Sequence, residues 1–517
     1  MAQAPLRLLQ DTLRRSAARL PEKTALVVGP HRLSYGELWH RSRRLARVLR
    51  QRGVCRGDRV AIFLDNTWEC VVSLYASLLA DAAFVVVNPQ TKADKLAYIL
   101  NDSGATVLVT DEHLQKTYLA AIAAAPTLQG VLVTGALPAV DDARLLPFQQ
   151  ELEAAAADQG RERAVSIDLA SLIYTSGSTG EPKGVMHTHQ SMLFALQSLV
   201  EYLRLEEDDC LLCVLPLAFD YGLYQLLMAL HLGASLVLER SFTYPAQVFN
   251  AMEAEGVTVF PGVPTIFTML LGAHERQPLR FDRVRRVTNT AAALPPSFNT
   301  RLREIFSSAD IYRMYGLTEC KRVSYLPPEQ IEAKPESVGV AIPGTEVMVL
   351  DEEGRPVAPG VTGTLYVRGA HVMLGYWNQP ELSAHMLKAG PLPGERMLCT
   401  HDLFTVDADG YLYFVGRSDD IIKSRGEKVS PVEVENILYA IPGVREAAVV
   451  GVADELLGQA VRAYVVLDDA SSLVERQLRA LCLERMENFM VPKEFRICAS
   501  LPKGATGKID KKALLRE

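Results

Sequence analysis

No stretch of the chain approaches the roughly 18 to 20 consecutive apolar residues needed to cross a bilayer. The longest runs, residues 211–219 and 226–230, have the length of buried elements and are interrupted by Asp220. The apolar core of a secretory signal is missing as well. Leu6, Leu9, Leu13 and Ala17 instead recur at helical spacing with Arg14, Arg15 and Arg19 among them, which predicts a surface helix packed on the body. Nor is there a large excess of either charge. The 54 basic and 61 acidic residues leave a net charge of -7, which argues against nucleic acid as a partner but permits a local positive cleft for a nucleotide. The 8 cysteines complete no four-ligand set, and only Cys210 and Cys213 share the C-x-x-C spacing. Structural zinc and thiol exchange are set aside in favour of scattered reduced thiols in the cytoplasm. Solenoid repeats and coiled-coil heptads are absent too.

Apolar residues make up 49% and charged residues 22% of the 517, as in an ordinary soluble enzyme, and a chain of this length divides into at least two globular units. From residue 25 to 170, helical text alternates with short strand-like runs such as VAIFL, FVVV and TVLVT, continued by SLIYT, SLVLE and VTVFP. This predicts layered α/β architecture. After Glu332, closely spaced strands with D-E-E-G and P-G turns predict a β-rich subdomain over residues 338–416. Beyond it the order helix, strand, strand, helix, strand suits a compact α+β domain. The expected organisation is α/β multidomain: a large N-terminal domain, 1–418, followed by a small mobile C-terminal domain, 419–517, hinged near Asp419.

The most informative text is SLIYTSGSTGEPKGVMHTH, residues 171–189. A buried strand delivers the chain into Thr175, Ser176, Gly177, Ser178, Thr179 and Gly180. Glycine permits tight turns, hydroxyl and N–H groups can surround phosphate oxygens, and Lys183 adds a point charge. The loop is not a Walker A motif, because position 182 is proline and Lys183 is followed by Gly184.

YTSGSTGEPKGV resembles the phosphate-loop signature of the adenylate-forming superfamily, which includes acyl- and aryl-CoA synthetases, peptide-synthetase adenylation domains and firefly luciferase. The likeness covers essentially the whole chain, with its motifs in the expected order. YGLTE, residues 315–319, resembles a second core motif; it implies Tyr315 against adenine, Thr318 on the α-phosphate and Glu319 as the Mg²⁺ ligand. A carboxylate beside a hydroxyl is also, by its own chemistry, a hard-oxygen site suited to that ion. TNTAAALP places Ala291 and Ala292 where the family commonly has glycine along the adenine. THDLF resembles the T-G-D segment, making Asp402 the ribose acceptor, with His401 in place of the usual glycine. In GRSDDIIKSRGEK, Arg417 resembles the ribose- or phosphate-contacting arginine and Asp419 the hinge. Lys423 to Gly426 resembles the loop that faces the site during thiol transfer. LPKGATGKID resembles the C-terminal catalytic motif, which makes Lys508 the lysine of the first half-reaction.

The resemblance implies an AMP-forming ligase that uses ATP and Mg²⁺ to activate a small carboxylic acid, then passes the acyl group to coenzyme A or to a discrete phosphopantetheinyl carrier protein. An acid is already ionised at pH 7, so adenylation needs charge stabilisation rather than a general base. The segment LAFDYGLYQLL puts Asp220 where adenylation domains hold a substrate ammonium and where many CoA synthetases have histidine. The expected acid is therefore small, aromatic or cyclic and amino-substituted, such as an aminobenzoate. Two other readings stay open: an amino-acid ligase, for example for proline, that loads a carrier, and an Asp220 that only caps a helix starting at Tyr221. Phe219, Tyr224, Phe267, Met314 and Val323 are the expected pocket walls, and their bulk argues against an open long-chain tunnel. The FDYG variant also looks like stand-alone bacterial ligases of secondary metabolism. No attachment serine for a carrier arm is recognisable, so delivery is expected in trans. A non-catalytic nucleotide-binding regulator is disfavoured because Lys508 and Glu319 are both present.

Overall fold

The computed structural model describes residues 5–516 apart from 159, 161, 176–180, 291–293, 419, 425–426, 455–457, 470 and 505–506, with backbone alone at 423, 428 and 458. Among the described residues the strands form four sheets. Two are large and mainly parallel. One runs from Gly375–Tyr376 through Lys183–Thr188, Leu169–Thr175, Ala83–Val86, Arg59–Phe63, Val107–Asp111 and Gly130–Thr134 to Leu145–Pro147. The other includes Asp310–Tyr315, Arg286–Asn289, Val259–Gly262, Cys210–Cys213, Ser235–Leu238 and Thr24–Val28. Their strands are short β-branched or apolar runs buried on both faces, as parallel sheets covered by helices require. The helices Tyr35–Gln51, Trp68–Leu79, His189–Tyr202 and Asp220–Leu232 supply that cover within one continuous core. The N-terminal helix, Asp11–Arg19, docks Leu13 and Ala17 into this core.

A third, antiparallel sheet occupies the stretch read as β-rich: Glu346–Leu350, Gly363–Arg368, Arg396–Val406 and Leu387–Ala389, with Leu412–Arg417 pairing onto Arg396–Val406. The fourth contains the long hairpin Val444–Asp454 and Gly458–Leu467 with Ile422–Ser424, Glu427–Val429 and Glu494–Ile497. Pro431–Tyr439 and Glu475–Leu483 cover it, and its core is made of residues from Ile422 onward. All 8 cysteines are free thiols. No helix among the described residues is long and apolar enough to cross a membrane.

Candidate active site

The strand Leu169–Thr175 pairs antiparallel with Lys183–Thr188, and the register sets Thr175 opposite Lys183. Ser176, Gly177, Ser178, Thr179 and Gly180 lie outside the described residues. On its other edge Lys183–Thr188 pairs with Gly375–Tyr376, which brings Lys183 Nζ to 5.5 Å from the Tyr376 ring centroid. The Tyr376 hydroxyl in turn donates to Glu319 Oε1 at 2.6 Å. The base of the loop is thereby tied to the carboxylate of the YGLTE turn by a residue that sequence reasoning did not select.

That turn follows the strand Asp310–Tyr315 and folds tightly on itself. A Cβ on Gly316 would stand 2.5 Å from the Lys321 carbonyl oxygen, so only glycine fits there. The Tyr315 hydroxyl donates to Asp402 Oδ2, and its ring packs against Phe404 and Phe414 at centroid distances of 4.9 and 6.0 Å. Asp402 also faces Arg417, with Nε 3.4 Å from Oδ1. Burial raises the Asp402 carboxyl above the usual range, with Arg417 and the Tyr315 hydroxyl opposing the rise. His401, beside it, has φ 56, a left-handed conformation that explains why glycine is usual at this position in the superfamily. Its ring stacks on His385 at 4.7 Å.

Lys508 enters this cleft from the C-terminal unit. Its carbonyl accepts from Gly504 N at 2.8 Å, closing a tight turn, and Gly507 at φ 76 is pressed against the other unit. A Cβ on Gly507 would lie 2.9 Å from Thr265 Oγ1. Burial pulls the Lys508 ammonium down to about 8, helped by Arg417 and opposed by Asp402 and Glu319. Thr175, Lys183, Tyr315, Thr318, Glu319, Asp402, Arg417 and Lys508 thus border one cleft of about 2040 Å³, together with Phe219, Asp220, Tyr224 and Met314.

Two expected pocket walls do not border it. Phe267 is fully buried, its ring filling the space over Gly262 beside Phe260, and Val323 belongs to the core shared with Val185, Cys320 and Met373. Ala291, Ala292, Asp419 and Gly426 lie outside the described residues, and Lys423 is placed only as part of the strand Ile422–Ser424. Asp220 does not cap a helix starting at Tyr221. The helix Asp220–Leu232 starts at Asp220 itself and has no side-chain cap, while Oδ1 accepts from the buried Lys321 ammonium at 2.8 Å. Burial lowers the Lys321 pKa, with Asp220 opposing the fall; breaking such a buried pair costs about 3 to 5 kcal/mol. Arg322, 5% exposed, donates to Thr290 Oγ1 at 2.7 Å and lies 5.4 Å from the Tyr221 ring centroid. Lys321 and Arg322 were missed; the signal was two adjacent cations inside the otherwise apolar run after YGLTE.

No group of three His, Cys, Asp or Glu side chains suited to a metal occurs among the described residues. Glu319, with Oε1 already oriented by Tyr376, would hold Mg²⁺ through its carboxylate, in keeping with an ion usually bound by one or two carboxylates plus substrate phosphates. When bound, the ion would offset phosphate charge.

A cleft that gathers Tyr315, Thr318, Glu319 and Asp402 and receives Lys508 from a second folding unit fits an ATP-dependent, AMP-forming acid–thiol ligase. The chain belongs to the AMP-binding enzyme family, whose model matches residues 13–377, and the AMP-binding enzyme C-terminal domain matches residues 433–508. It is 35% identical to a feruloyl-CoA synthase from an Amycolatopsis species over 500 residues, 96% of each chain. Among solved structures it is similar to an anthranilate CoA ligase in complex with anthranoyl-AMP, with TM-score 0.91 and 28% identity over 99% of this chain and 97% of that one. A benzoate CoA ligase from Burkholderia xenovorans gives TM-score 0.88 and 28% identity over 99% of this chain and 100% of that one.

Proposed function

We infer that the enzyme activates a small aromatic or cyclic acid, aminobenzoate-like in carrying a neutral amino group, and transfers it to coenzyme A in the cytoplasm. The observation that carries this reading is the placement of Lys508 beside Asp402, Arg417 and Glu319, in the cleft that Asp220 and Tyr224 also border. In the first step a carboxylate oxygen attacks the α-phosphorus of ATP and the bond to pyrophosphate breaks. Thr318 and Lys508 donate to the oxygens that gain charge, with the 176–180 loop as the further donor set. Tyr315 and Asp402 hold the nucleoside. In the second step the thiol sulfur attacks the acyl carbonyl and AMP leaves, while the thiol proton passes to solvent. The C-terminal unit rotates about Asp419 between these steps, withdrawing Lys508 and presenting the loop of Lys423 and Gly426.

The bulk of Tyr221, Tyr224 and Met314 around the pocket, and the bound anthranoyl-AMP of the similar ligase, support a small cyclic acyl group. Eight free cysteines support a reducing compartment. Acid-dependent ATP/pyrophosphate exchange over aliphatic, aromatic and amino acids tests the acid. AMP release with coenzyme A against a holo-carrier protein tests the acceptor. The expected result is fastest exchange with aminobenzoates and release with coenzyme A alone; ADP and phosphate as products, or an obligatory carrier, would overturn the reading.

A further inference from the structure

On the reading of this cleft as an acid site, we propose that Lys321 and Arg322 are specificity-determining residues that admit acids whose single ionised group is the reacting carboxylate and disfavour acids bearing an ammonium. Lys321 Nζ holds Asp220 Oδ1 at 2.8 Å, and both side chains are buried. The carboxylate that a substrate ammonium would need therefore already has a cation, one supplied by the protein. Arg322 is buried on the same wall. Its guanidinium donates to Thr290, its Nε has no hydrogen-bond partner, and no carboxylate forms an ion pair with it among the described residues. Asp220, Lys321 and Arg322 border the cleft together with Tyr221 and Tyr224.

Asp220, Lys321 and Arg322 together carry one positive charge in excess, with the nearby Glu319 engaged by the Tyr376 hydroxyl, in a place where water does little to screen it. An acid that brings only its carboxylate balances the charge. A zwitterion does not, because its ammonium faces a carboxylate already engaged and a guanidinium of like sign. An arylamine escapes that penalty, since its nitrogen is neutral at pH 7 and needs only an acceptor. Asp220 Oδ2, buried without a partner, is such an acceptor. Lys321 thus acts through Asp220 as a positioning residue, and Arg322 sets the sign of the pocket.

The test compares kcat/KM in pyrophosphate exchange for 2-aminobenzoate and for proline, in the wild type, Lys321→Met, Lys321→Arg, Arg322→Leu and the charge-balanced pair Lys321→Met with Asp220→Asn. The wild type is expected to favour 2-aminobenzoate by at least about tenfold. Lys321→Met frees Asp220 and should move the ratio toward proline by about tenfold, mainly through the KM of the acid. Lys321→Arg and the charge-balanced pair should keep the wild-type ratio. Arg322→Leu should move it toward proline as well, so a Lys321→Met protein that fails to fold still leaves a decisive variant. A wild type that exchanges well but ranks proline first, or folded variants with unchanged ratios, would overturn the proposal alone. Exchange with neither acid would overturn the small-acid reading along with it.

Discussion

Lys508 carries a conflict between where it must sit and the charge it must keep. Buried beside Arg417, its ammonium is drawn down to about 8 from an ordinary value near 10.5, with Asp402 and Glu319 only partly opposing the shift. For a base, a depressed pKa means that the neutral form gains as pH rises, and the cation useful to a phosphate is lost first in the free enzyme. In acid-dependent pyrophosphate exchange, kcat/KM for ATP is accordingly expected to fall above about pH 8 with a slope of one proton. Lys508→Arg should be slower at every pH but lack that limb, because a guanidinium stays charged. A wild-type profile that stays flat to about pH 10 would remove the assignment. His401 shows a residue-scale cost of another kind: a side chain at φ 56 is disfavoured by about 1 kcal/mol, against which stands its stacking on His385.

At the scale of elements, the start of the helix Asp220–Leu232 shapes the wall of the cleft proposed to hold the acid. Its Gly222 packs so closely on the preceding loop that a Cβ would stand 2.5 Å from the Pro216 carbonyl oxygen and 2.7 Å from that of Leu215. Backbone atoms cannot swing aside as a flexible side chain can. Gly222→Ala is therefore expected to destabilise the protein by about 1 to 3 kcal/mol and to raise the KM of the acid more than that of ATP. Thermal melting and the two KM values check it, and a selective rise in the ATP value would contradict it. These elements were largely legible in the chain. SLIYT, VTVFP and the C-terminal helix-and-strand order correspond to Leu169–Thr175, Val259–Gly262 and the run from Pro431–Tyr439 to Glu494–Ile497, because hydrophobic period and turn residues are local properties. Resemblance to the superfamily's motifs singled out Tyr315, Glu319, Asp402 and Lys508, which border one cleft. Contacts between distant segments left no such trace. Glu319 with Tyr376 and Asp220 with Lys321 are separated by 57 and 101 residues, so neither pairing has a period or a spacing to read. Phe267 and Val323 fit a pocket by position and size, yet the helix Pro264–Arg276 turns the first, and the segment ahead of Ser324–Leu326 the second, into core.

The molecule as a whole divides its chemistry between two bodies with separate cores, the smaller built from residues that begin at Ile422. In the arrangement described, Tyr439 of the smaller body meets Phe298 edge-on at 6.2 Å, and Gly507 lies against Val263 and Thr265 while Lys508 reaches the cleft. On the proposed reaction this arrangement serves adenylation, since Lys508 borders the cleft together with Thr318 and Glu319. It has no evident use once the acyl-adenylate exists. Gly507→Val opposes it twice, by a left-handed φ of 76 and by a Cβ about to strike Thr265. Misplacing the lysine by about an ångström should cost about tenfold to a hundredfold in pyrophosphate exchange. Acyl transfer to coenzyme A from a supplied acyl-adenylate should change by less than about threefold if, as proposed, that step follows the turning away of the smaller body. Measuring the two half-reactions separately on one preparation decides the matter: equal losses in both would mean that a single docked arrangement performs the whole reaction.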